Sequence, residues 1–136
     1  MRIMIEKVSH IGIAVNSIED AVKLYTEALG LKVRDVEVVT DQKVRIAIIS
    51  VGDTRIELLE STDPEGPIAK HIRTRGEGLH HLALQVSNIQ ETLEKLERDG
   101  IPLIDKKPRI GAGDAQIAFL HPKGTKALIE LVQPAD

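Results

Sequence analysis

The stretch Gly78-Leu79-His80-His81-Leu82-Ala83-Leu84-Gln85-Val86-Ser87-Asn88-Ile89 decides how the chain is read, because it echoes His10-Ile11-Gly12-Ile13-Ala14-Val15-Asn16-Ser17-Ile18. In both, a histidine opens a run of β-favouring residues and a short polar break follows. An isoleucine then starts a new pattern. His81 lies 81 − 10 = 71 residues after His10, slightly more than half of the 136-residue length. A second echo keeps nearly the same spacing: Ile56-Glu57-Leu58 and Ile129-Glu130-Leu131 are 130 − 57 = 73 residues apart. One repeated tripeptide means little, but two echoes at nearly the same spacing, in the same element order, imply a module written twice.

Working outward, Val8 to Val15 reads as a strand. Ser17-Ile18-Glu19-Asp20 is a helix start of the capping-box kind, and Ile18, Ala21, Val22, Tyr25 and Leu29 recur at the spacing of one buried helical stripe. Gly30 suits a left-handed helix end. Strands are predicted over Leu31–Thr40, Lys43–Val51 and Thr54–Leu59, broken by turn residues at Asp41-Gln42 and Gly52-Asp53. Ser61 to Glu77 is a polar connector, with a short helix from Pro67 to about Thr74. The second copy runs through strand Leu79–Val86 and a helix capped by Asn88, with Leu93 and Leu96 inward and Gly100 at its end. Strands Pro102–Asp105, Ala115–Leu120 and Lys126–Val132 complete it. The expected class is α+β: two tandem βαβββ modules, residues 1–60 and 78–136, joined by 61–77 within a single domain, 1–136.

Composition narrows the partners. A net charge of −3 with 29% charged residues offers no basic field for nucleic acid. Without cysteine there is no disulfide framework, thiolate metal site or cysteine nucleophile, and a cytoplasmic location is the default expectation. No apolar run approaches the roughly 18 residues of a membrane span, and Met1–Lys7 lacks a signal-peptide core. One Tyr, one Phe and no Trp leave little surface for gripping planar ligands by stacking.

Duplication singles out four polar residues: His10 and Glu57 from the first copy, His81 and Glu130 from the second. Two imidazoles and two carboxylates suit a borderline divalent ion with positions left for substrate. A glutamate between aliphatics on a strand is ordinarily solvent-facing. Four such residues in matched places favour a site. Strand alternation puts Ile56 and Leu58 on one face and Glu57 on the other, and likewise for Ile129, Glu130 and Leu131, so both acids are expected on a concave, polar side. Adjacent His80 and His81 point to opposite faces, and alignment with His10 selects His81. His80 reads as a packed neighbour, His121 as a turn residue before Pro122, and His71 as exposed. Pro108-Arg109-Ile110-Gly111-Ala112-Gly113-Asp114, with His121-Pro122-Lys123-Gly124 after it, is either a seat for an anionic, phosphorylated tail or an ordinary hairpin loop.

The paired modules, each with a strand-initial histidine and a strand-final glutamate, resemble the vicinal oxygen chelate superfamily. Within it, His10–Val15, Gly76-Glu77-Gly78-Leu79-His80-His81, Pro108–Gly113 and Ala118-Phe119-Leu120-His121-Pro122-Lys123 resemble the methylmalonyl-CoA epimerase family over almost the whole chain. That resemblance implies interconversion of (R)- and (S)-methylmalonyl-CoA in propionate metabolism by 1,1-proton transfer through a metal-stabilised enolate. It implies a divalent metal, cobalt or else manganese, nickel or zinc, held by His10, Glu57, His81 and Glu130, with Glu130 also transferring the proton. An acyl-CoA substrate and a homodimer are implied too, with Arg109 and Lys123 as candidates for the substrate's anionic groups. Some epimerases carry glutamine where this chain has Glu57, and some have a carboxylate in the strand that is here Lys43–Ile49. Glu37 and Asp41 are the acids left as candidates for a second base.

Two other readings stand beside this one. A glutamate at position 57 is typical of bacterial glyoxalases, which use the same four-ligand arrangement. A non-catalytic antibiotic-sequestering module on the same fold is the other, and the scarcity of aromatics argues against it.

Overall fold

The computed structural model describes residues 5–136, so the reading of Met1–Met4 lies outside it. The chain forms two compact units, one of His10–His80 and the other of the described residues up to Ser9 with His81–Asp136. The secondary structure is α+β.

In the first unit, strand β1 (Ile5–Ala14) contributes His10–Ala14. Helix α1 (Ile18–Lys23) begins where the Ser17 hydroxyl accepts a hydrogen bond from the Asp20 N–H, the cap expected from sequence. The helix does not continue regularly to Leu29. It passes into a π-helical turn, Leu24–Ala28, where the Thr26 hydroxyl donates to the Val22 carbonyl and so competes for the i−4 ladder. Strands β2 (Val33–Val39), β3 (Val44–Val51) and β4 (Thr54–Ser61) follow, in the order β2-β3-β4-β1, with β1 parallel to β4 and the other pairs antiparallel. Val15, Ile18, Ala47, Ile49 and Leu58 close the helix-side core. Burying each of the larger aliphatics contributes about 1.5–3 kcal/mol. Helix α2 (Pro67–Arg75) starts on its proline, as predicted.

In the second unit, β5 (Gly78–Val86) contributes His81–Val86, and α3 (Ile89–Arg98) is capped by the Asn88 side chain, which accepts from the Glu91 N–H. The strand expected over Pro102–Asp105 is reduced to a single bridge, Leu103 to Leu120. The Ile104 and Asp105 amides both donate to the Phe119 carbonyl, while the Asp105 carboxylate accepts the Phe119 N–H, so a side chain replaces a rung of the ladder. The edge is instead β6 (Arg109–Ile110), antiparallel to β7 (Gln116–Leu120). A short helix, α4 (Pro122–Thr125), leads to β8 (Ile129–Gln133), giving the order β5-β8-β7-β6 with β5 and β8 parallel. Val86, Ile89, Leu93, Ala118, Leu120 and Leu131 form the helix-side core.

The units share one further device. Three residues beyond each repeated glutamate, a side-chain oxygen accepts the first amide of that unit's helix: Glu60 from Ile18 at 2.7 Å, and Gln133 from Ile89 at 2.8 Å. The strand bearing each acid thus anchors the helix packed behind it.

Candidate metal centre

Because Ile56 and Leu58 belong to the helix-side core, alternation sends Glu57 out of the opposite face of β4. Gly12 is its register partner on β1, and His10 lies two residues before Gly12 on the same face. His10 Nε2 stands 3.4 Å from Glu57 Oε1, with both side chains at most 5% exposed. The second unit repeats this. Ile129 and Leu131 pack helix-side, Glu130 faces away with Ala83 as register partner, and His81 Nε2 stands 2.9 Å from Glu130 Oε1. A residue no larger than alanine therefore flanks each acid, which leaves room for the imidazole.

Around the histidines and glutamates, the neighbours on the acid-bearing faces are largely buried aliphatics, where the sequence led us to expect a polar side. Val44, Ile46 and Ile48 are buried on that side of β3, and Ala83, Ala115, Ile117 and Val132 cluster there in the second unit with Phe119 against them. Taking a carboxylate out of water costs several kcal/mol unless a proton, a cation or donors compensate it. Each repeat buries an imidazole beside a carboxylate, nitrogen and oxygen donors that a shared cation would compensate. The donor set therefore fits a divalent ion of the zinc, cobalt or nickel kind.

The remaining candidates fall elsewhere. Arg109 is engaged by Asp105, its Nε 3.2 Å from Oδ1, and its guanidinium lies 5.8 Å from the centre of the Phe119 ring. Phe119 in turn meets His81 edge to face at 5.7 Å. Lys123 is exposed on α4, and its backbone N–H donates to His121 Nδ1, so His121 caps this short helix where a turn was expected. Gly111 is buried because a Cβ there would meet the Ile117 side chain at 3.0 Å, which gives this part of the Pro108–Asp114 loop a packing reason for its glycine. His71 is half-buried rather than exposed and meets the His80 ring at 4.9 Å. Burial, and then the Arg75 charge, hold its imidazole below the usual histidine pKa against an opposing hydrogen bond to the Leu79 backbone. Glu37 is the register partner of Ile46 and so shares the face of Glu57, whereas Asp41 is exposed in the 3-10 turn Thr40–Gln42. Arg55, absent from the sequence reading, places Nη2 3.5 Å from Glu57 Oε2. Its signal was its place two residues before the acid, on the same strand face.

Residues 9–119 match the sequence pattern of the Glyoxalase/Bleomycin resistance protein/Dioxygenase superfamily. A Bacillus subtilis protein of uncharacterised function is 39% identical over 129 residues, covering 94% of this chain and 92% of its own length. The ethylmalonyl-CoA/methylmalonyl-CoA epimerase of Cereibacter sphaeroides is 32% identical over 133 residues, 96% of this chain and 99% of that one. The crystal structure of methylmalonyl-CoA epimerase from Mycobacterium tuberculosis is similar with a TM-score of 0.94 at 33% identity, covering 98% of this chain and 91% of that one. With this likeness extending over nearly the whole sequence, the chain belongs to the glyoxalase/bleomycin resistance protein/dioxygenase superfamily.

Proposed function

We propose that this protein is a metal-dependent epimerase that interconverts (R)- and (S)-methylmalonyl-CoA. The observation that carries the reading is the twice-made buried pair, His10 with Glu57 and His81 with Glu130. Its support in substrate class is the likeness to proteins named as methylmalonyl-CoA epimerases. In this reading His10, Glu57, His81 and Glu130 together hold one divalent ion, cobalt first among the candidates. When bound, such an ion supplies a Lewis acid toward the thioester and carboxylate oxygens, a contribution of several kcal/mol to the barrier.

The chain's own residues supply the rest. Glu130 uses Oε1 toward His81 and takes the proton from the carbon between thioester and carboxylate on Oε2, a step for which a positioned base contributes about 10²–10⁴-fold. The apolar surround excludes water and so strengthens every charge interaction within it. Return of the proton on the opposite face is assigned to Glu37, since it shares the face of Glu57 while Asp41 stands in an exposed turn. Arg109 and Lys123 are assigned to the anionic groups of the acyl-CoA. The expected setting is a homodimer in the cytoplasm, which sedimentation and fractionation check. Among the described residues no helix is long and apolar enough to cross a membrane.

The deciding experiment is deuterium incorporation from solvent into methylmalonyl-CoA by protein loaded with cobalt, manganese, nickel or zinc. Exchange with at least one ion is expected; silence with all four would sink the epimerase, and hemithioacetal turnover in its place would select a glyoxalase. A Glu37→Gln variant should still exchange the proton of one epimer while interconversion stalls. Loss of exchange from both epimers, or unimpaired interconversion, would remove Glu37 from the role.

A further inference from the structure

The two carboxylates differ in what stands behind them. Arg55 is the register partner of His10 and lies two residues before Glu57, so all three side chains share one face. The Glu57 carboxylate is held from two sides: Oε1 is 3.4 Å from His10 Nε2, and Oε2 is 3.5 Å from Arg55 Nη2. The acid is 4% exposed and the arginine 33%, so the guanidinium reaches in from the surface to a carboxylate that water hardly touches. A planar, weakly hydrated cation suits that place better than an ammonium. In the second repeat, Thr54-Arg55-Ile56-Glu57-Leu58 becomes Ala127-Leu128-Ile129-Glu130-Leu131, and the equivalent of Arg55 is Leu128, which has neither charge nor donor.

We propose that Arg55 is a positioning residue that separates the roles of the two repeated glutamates. By holding Oε2 it fixes Glu57 in one orientation, with Oε1 presented as a ligand oxygen, and Leu128 supplies no equivalent cation beside Glu130. The inference rests on the metal-dependent reading above. Groups that orient a metal ligand from behind typically set about 10–100-fold of the metal affinity. Charge alone acts the other way, because removing a cation beside the site favours a bound cation, so the sign of the change distinguishes positioning from bulk electrostatics.

The test titrates apo-protein with cobalt(II), following the visible absorption of the ion, for wild type, Arg55→Leu, Arg55→Lys, Glu57→Gln and the Arg55→Leu/Glu57→Gln double variant. Circular dichroism confirms that each is folded, and Arg55→Lys serves if Arg55→Leu is not. Arg55→Leu is expected to bind about 10–100-fold more weakly with an altered spectrum, Arg55→Lys to fall between it and wild type, and the double variant to match Glu57→Gln alone, because the arginine acts only through that carboxylate. Unchanged or tighter binding in Arg55→Leu would overturn the proposal, as would an Arg55→Leu loss that persists in full in the Glu57→Gln background. Wild-type protein that binds none of the four candidate ions would instead overturn the metal reading on which it stands.

Discussion

In the first repeat Glu57 sits on strands of eight residues, between an imidazole and a guanidinium, and the helix behind it loosens into a π-helical turn. In the second, Glu130 sits on strands of five residues, beside an imidazole that Phe119 meets edge-on, and the helix behind it runs a regular ten residues. What the copies retain is the histidine–glutamate pair and its immediate supports: a small register partner, a capped helix, and an oxygen three residues on that anchors the helix. What has diverged is the next layer outward. In the second repeat the edge strand shrinks from the seven residues of β2 to the two of β6, α4 is added before the last strand, and Arg109 comes over Phe119. Duplication thus preserved a buried histidine–glutamate pair while its surroundings diverged.

The largest expected effect tests the division of roles proposed for the two acids. Glu130→Gln should lower kcat by about 10²–10⁴-fold with the ion still bound, whereas Glu57→Gln should cost more in metal affinity than in kcat at saturating metal. Isotope exchange beside metal titration reads both, and equal kcat losses in the two variants would erase the distinction. Next in size, Leu58→Ala and Leu131→Ala remove equivalent buried side chains, 0% and 2% exposed, from the two helix-side cores. Each should cost about 2–5 kcal/mol in denaturant unfolding. A much smaller loss in one would show that its core collapses around the cavity, and that the helix-side packing has diverged as the outer layer has.

The smallest effect belongs to a group without a counterpart in the second repeat. His71 is held below its ordinary pKa chiefly by burial, so the unfolded chain takes up the proton first as pH falls. Its contribution is intact above the usual histidine range and is lost as pH drops through that range toward the lowered native value. The urea midpoint should therefore fall between pH 7.5 and 5.5, by less in His71→Gln than in wild type.

The fold was legible where two signals agreed. The first and second helices began at Ser17 and Asn88 because capping chemistry and apolar periodicity coincided there. Pro102–Asp105 misled because its apolar residues suggest a strand, while the hydrogen bond between the Asp105 carboxylate and the Phe119 amide is invisible until the chain has folded. In the site, alternation around Glu57 and Glu130 gave the face opposite the helices, but the polar side expected there is lined largely by buried aliphatics. Ile46, Ile117 and Val132 bury those acids through tertiary contacts that a strand pattern does not contain. Arg55 escaped notice for the opposite reason: it has no match in the second copy, and a search for repeats passes over what is not repeated.

The pairing of each histidine with the glutamate of its own unit has a consequence for how the protein reaches this state. The loops closed are 57 − 10 = 47 and 130 − 81 = 49 residues long, whereas a His10–Glu130 pair would close 130 − 10 = 120. Loop-closure entropy rises only as the logarithm of length, a difference of about 1 kcal/mol, yet folding rate follows sequence separation more steeply. Each pair can therefore assemble on the timescale of its own unit, before the whole chain is ordered.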